Sequence, residues 1–192
     1  MSDKGYDIVK KFYVLLIVVS ALGAVLGALY YVNLNASKDN INNYVTYFAN
    51  GGSGSVDNMK IMVASLKGSL VVTVIFTLAS LIKPGMIAIA AITLRRGFIY
   101  GFTNAAMMSV VGVKGIYITL LRLPEMFFML LGMFALGAAA GGISVSGRGD
   151  IRGKIKFFNI FLIISLTTFC AAAVCEGFLT TIFMNTLLKW LT

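Results

Sequence analysis

Four ionisable side chains stand inside or at the margins of long apolar runs: Lys83, Arg122, Glu125 and Glu176. Charge within a membrane segment is costly, and it marks ion pairs, proton relays or substrate paths. Arg122 and Glu125 are three residues apart, a spacing that lets two side chains pair on one helical face. Pro124 between them argues against a regular helical turn there. The two read either as a structural ion pair near an outer membrane edge or as part of an ion or substrate path. Glu176 is a candidate partner for Arg122 or Lys83, or a residue of the outer interface. Histidine is absent, which removes the commonest general base and metal ligand. No serine-hydrolase elbow, phosphate-binding loop or zinc signature occurs in the sequence, so no catalytic residue, metal site or cofactor is expected. Cys170 and Cys175 lie five apart in an apolar segment. On a helix they face different ways and make no easy disulfide, so they read as small buried residues.

The elements that must carry these residues follow from composition. Of 192 residues, 59% are hydrophobic and 12% are charged, and the mean hydropathy is +0.92. A chain of this size cannot bury that much apolar surface in one water-soluble core. Lipid is the expected solvent, and soluble enzymes, disordered tails and nucleic-acid-binding domains are excluded. The net charge of +9 is gathered in short clusters between apolar runs, the pattern of basic cytoplasmic loops rather than of nucleic-acid binding. The expected fold class is all-α: a polytopic membrane protein of about five transmembrane helices, forming a single integral domain over residues 1–192.

Residues 12–32 form an apolar run long enough to cross a bilayer. It is too long for a signal peptide and lacks a clear cleavage site, so it is expected to stay as the first span. Lys4, Lys10 and Lys11 before it place the N-terminus in the cytoplasm. Residues 33–67 are then an outer segment with two amphipathic pieces. Ile41, Tyr44, Val45 and Phe48 share one helical face, and Met59, Met62, Val63 and Leu66 repeat the spacing. They read as short helices at the membrane surface or as a docking face for an extracytoplasmic partner. Residues 69–94 are expected to form one span broken near Pro84. Arg95-Arg96 are then placed at a cytoplasmic edge, because each arginine at the bilayer centre costs about 2.5–3.5 kcal/mol. An alternative turns the chain at Pro84 and starts a new helix. Further spans are expected over 97–112, 116–142 and 157–174. The basic loop 147–156, with Arg148, Arg152, Lys154 and Lys156, is expected in the cytoplasm. Its Arg-Gly-Asp at 148–150 is then a coincidence. Residues 175–192 end near Lys189 and Trp190, an interface anchor.

The order of several short motifs resembles the stage II sporulation protein M family of bacterial membrane proteins. After the first span comes Tyr44-Val45-Thr46-Tyr47-Phe48-Ala49-Asn50-Gly51, then Leu66-Lys67-Gly68, Pro84 and Arg95-Arg96-Gly97-Phe98-Ile99-Tyr100-Gly101-Phe102. Gly112-Val113-Lys114-Gly115, Leu123-Pro124 and Glu176-Gly177-Phe178-Leu179 follow. The likeness covers roughly residues 12–190. Many members of the wider family carry Pro-His-Gly and a nearby Glu after the Leu-Pro step. Here Glu125 follows Pro124 directly and His is absent, which is closer to the sporulation branch. The resemblance implies a non-catalytic scaffold of the septal or engulfing membrane in endospore formation. It also implies recruitment of peptidoglycan hydrolases resembling stage II sporulation proteins P and D. The rival reading is a small transporter or channel subunit that uses the intramembrane charges.

Overall fold

The computed structural model describes residues 3–34, 39, 41–43, 58–82, 84–145 and 151–180. Five helices carry the fold: α1 (Asp3–Val32), α2 (Asn58–Ser80), α3 (Gly85–Val111), α4 (Val113–Val145) and α5 (Ile151–Val174). A π-helical turn, Cys175–Thr180, continues α5. Each helix holds a stretch long and apolar enough to cross a bilayer: Asp7–Val32, Met59–Ser80, Gly85–Val110, Thr119–Ser144 and Gly153–Phe178. The chain is an all-α, multi-pass membrane protein.

The count of five agrees with the sequence, but the boundaries of the second and third spans do not. Pro84 does not break one span over 69–94. It lies in the turn that ends α2 and begins α3. Proline supplies no N–H and disfavours helix in the residue before it. Gly85 completes the turn, because a Cβ there would run into the Ala79 carbonyl. The second amphipathic piece is consequently not a surface helix. Met59 and Met62 belong to the first turns of α2, a full span that tolerates Lys60 and Lys67 because both side chains are exposed and long enough to snorkel. Arg95 and Arg96 leave the expected edge and fall near the middle of α3. At the far end of α3, Gly112 adopts φ 64° and its N–H bonds to the Met108 carbonyl at 3.1 Å, closing the helix. Pro124 does not interrupt α4; transmembrane helices tolerate the single lost backbone bond.

α4 is the central helix. About 72% of its most apolar stretch is buried, against 22–33% in the other spans. Its small residues explain this: Ala138, Ala139 and Ala140 are fully buried, and α1 approaches closely enough that a Cβ on Gly137 or Gly141 would press on Leu16 or Phe12. Between membrane helices such close contact, rather than hydrophobicity, drives association. α1 also runs parallel to α3 through facing glycine pairs. A Cβ on Gly23 or Gly27 would strike the carbonyls of Leu94 or Phe98, and one on Gly97 or Gly101 those of Ser20 or Ala24. Large apolar residues such as Val14, Leu26, Val71, Leu78 and Ile163 point outward, as a lipid solvent requires. Ser and Thr within the spans bond to carbonyls one turn back, for example Thr73 to Ser69 at 2.9 Å and Thr93 to Ile89 at 2.8 Å. Ser165 also donates across to the Gly132 carbonyl of α4 at 2.9 Å.

Candidate functional site: a charged cavity between the helices

α2 and α3 are joined by the turn at Pro84. At the level of Gly68 the space between them holds the Arg96 guanidinium, whose Nη2 lies 3.6 Å from where a Gly68 Cβ would stand. From there a cavity of about 400 Å³ extends along the bundle. α2 lines it with Ile61, Ala64, Ser65 and Gly68, and α3 with Arg96, Ile99, Tyr100 and Thr103. α4 adds Arg122, Glu125 and Met129, and the π-helical turn adds Glu176.

The positions follow from local geometry. Arg96 and Tyr100 are one helical turn apart on α3 and share a face. Gly97 beside them packs on Ser20, near the middle of the first span, so Arg96 lies at mid-depth. Arg122 and Glu125 stack on the first half of α4, with Arg122 Nε 3.5 Å from Glu125 Oε2. Glu125 is only 4% exposed. At that separation the two charges attract without a well-formed hydrogen bond, and Glu125 Oε2 has no hydrogen-bond partner among the described residues. The same holds for Tyr100 Oη and Ser65 Oγ, and Arg96 has no ion-pair partner among those residues. Buried polar atoms left without partners cost stability, so a cavity that gathers several is prepared for something polar.

Of the residues singled out in the sequence, Arg122, Glu125 and Glu176 come together here. Lys83 lies outside the described residues, and its neighbours Ile82 and Pro84 sit at the other end of the bundle. Tyr44, Val45 and Phe48 also lie outside the described residues. Ile41 packs inward against Tyr31 and Ala106, where the Tyr31 hydroxyl donates to Asn42 Oδ1 at 2.7 Å. Met59 is exposed and Met62 half-buried on α2. Cys175 is buried, whereas Cys170 is exposed on α5. Arg96, Tyr100 and Ser65 escaped the sequence reading. The signal was present: once Pro84 is a turn, Arg96 falls inside a span and Tyr100 one turn above it. Among the described residues no His, Cys, Asp or Glu cluster has the makings of a metal site.

Compared with protein-family models, with curated proteins and with solved structures, the chain matches none.

Proposed function

We propose that the chain is a non-catalytic membrane scaffold, similar to the stage II sporulation protein M family, that brings peptidoglycan-degrading partners to the septal or engulfing membrane. One observation carries this reading. Four of the segments behind the resemblance lie on elements far apart in sequence, yet their Gly68, Arg96, Tyr100, Glu125 and Glu176 meet around one cavity. Motifs that a family shares are expected to meet in its fold; chance matches along an apolar chain have no reason to.

Orientation follows from charge. Lys10 and Lys11, Lys83, and the group Arg148, Arg152, Lys154 and Lys156 belong to the start of α1, the α2–α3 connection, and the α4–α5 connection with the first turns of α5. With helices that alternate in direction these share one face, which the positive-inside rule assigns to the cytoplasm. The connection between α1 and α2 is then outside, where wall enzymes act. Tyr44, Val45 and Phe48 are its docking candidates.

The test is a mild-detergent pull-down of the tagged chain from its own cells during septation, read by mass spectrometry. Peptidoglycan hydrolases are expected with the wild type and are lost from a Tyr44→Asp/Phe48→Asp variant that still reaches the membrane. A chain recovered without wall enzymes overturns the reading. The cavity's buried charges favour a second reading, a small transporter or channel subunit. That reading requires solute flux in vesicles that Glu125→Gln removes.

A further inference from the structure

We propose that the cavity between α2, α3 and α4 binds a zwitterionic headgroup, a phosphate joined to a primary ammonium, as in phosphatidylethanolamine. Its volume of about 400 Å³ falls within the range of small-ligand sites, about 300–1,000 Å³.

The ligand class follows from what the cavity leaves over. Two arginines and two glutamates line it, so the lining is electrically balanced and a simple anion or cation would unbalance it. The unpartnered groups are of both kinds. Tyr100 Oη and Ser65 Oγ are hydroxyls without a partner, and Arg96 is a guanidinium without a carboxylate, among the described residues. Together they offer donors to phosphate oxygens, which guanidinium forks suit best. Glu125 Oε2 is an acceptor without a hydrogen bond, and Glu125 is held by one long ion pair to Arg122. An ammonium supplies the N–H that this oxygen lacks. Tyr100 is 8% exposed and Glu125 4%, so both unpartnered atoms belong to deeply buried side chains that line the cavity.

The source follows from the opening. Ala64 on α2 and Ile99 on α3 both line the cavity and are exposed on the outer surface of the bundle. The gap between the two helices therefore faces the membrane. A lipid enters sideways with its acyl chains still in the bilayer and its headgroup against Arg96, Tyr100 and Glu125. This inference rests on the cavity alone and holds or fails independently of wall-enzyme recruitment.

The experiment is a thermal-stability titration of the delipidated full chain in detergent, with native mass spectrometry of retained lipid. Phosphatidylethanolamine is expected to raise the melting temperature and to remain bound. Phosphatidylcholine of the same acyl chains is not, because its quaternary nitrogen has no N–H for Glu125. Arg96→Gln and Glu125→Gln are expected to weaken the response tenfold or more. Arg95→Gln, the same loss of charge on the exposed neighbour, is expected to leave it unchanged. Tyr100→Phe, which removes one hydroxyl, gives an intermediate loss and serves where a charge variant fails to fold. Soluble O-phosphoethanolamine separates the sources: protection by lipid alone supports a lipid site, and equal protection by the free headgroup supports the same chemistry with an aqueous ligand. Equal stabilisation by the two lipids, or full stabilisation of both Gln variants, overturns the proposal.

Discussion

Replacing Gly101 by alanine tests the packing that holds the bundle together. A Cβ at Gly101 would fall on the Ala24 carbonyl oxygen, with the carbonyl carbon and Cα of the same residue within 3 Å. All three are backbone atoms, so no side chain can rotate away and the two helices must separate. Overpacking costs about 1–3 kcal/mol in a well-packed core. The rigidity of the obstacle puts Gly101→Ala at the upper end, about 3 kcal/mol, or roughly a 150-fold fall in the folding equilibrium at RT of about 0.59 kcal/mol. The intrinsic helix preference for alanine over glycine, about 1 kcal/mol, works in the opposite direction and sets the net loss near 2 kcal/mol. Gly68→Ala provides the contrast. Its Cβ would meet only the Arg96 side chain at 3.6 Å, an ordinary contact, so the substitution is expected to be neutral or slightly stabilising. Reversible unfolding in mixed micelles, followed by circular dichroism, measures both. Equal stability of Gly101→Ala and Gly68→Ala would refute the claim that backbone contact between α1 and α3 limits the fold.

The Arg122–Glu125 pair separates a broken ion pair from a deleted one. Arg122→Leu leaves a carboxylate that is 4% exposed without its nearest countercharge and is expected to cost about 3–5 kcal/mol. The Arg122→Leu/Glu125→Leu double variant recovers most of that loss in the same unfolding assay; equal losses in the two variants would show that the pair is not coupled. Tyr31→Phe removes the 2.7 Å bond to Asn42 while keeping the ring against Phe102. It is expected to cost about 1 kcal/mol and to raise proteolysis between α1 and α2, and unchanged protease sensitivity would separate this bond from the anchoring of that connection.

The first span, the number of spans and the pairing of Arg122 with Glu125 were all legible in the sequence, because apolar length and i,i+3 spacing need no tertiary knowledge. The second span was misplaced for a physical reason. Residues 69–94 are apolar enough to cross on their own, and an arginine pair looks too costly for the bilayer centre. The fold resolves the cost for Arg96 by turning it into a polar cavity instead of towards lipid, and only the placement of α2 and α4 reveals that cavity. Gly23-x3-Gly27 and Gly97-x3-Gly101 have a spacing that permits close helix contact, but nothing in the sequence says that they face each other. Ser65 gave no signal, since a lone hydroxyl in an apolar run is commonplace and gains meaning only from the charges across the gap.

The two ends of the bundle are built on different principles. Towards the Pro84 turn, Gly85 packs on Ala79 and Gly142 on Val9, around the buried run Ala138 to Ala140. Nothing polar larger than Ser or Thr is buried there among the described residues. Towards the other end, both departures from regular backbone in the spans stand beside an acidic residue. Pro124 precedes Glu125 within α4, and the π-helical turn contains Glu176. Proline frees a carbonyl one turn back, and a π-helical turn shifts the following side chains around the helix. Backbone meets backbone where α1 crosses α3, at Gly23, Gly27, Gly97 and Gly101, and that contact reaches the level of the cavity. The same stretch of α3 thus packs its glycines on α1 and, with α2, α4 and the π-helical turn, holds Arg96, Arg122, Glu125 and Glu176 around one opening, an arrangement that packing alone does not require.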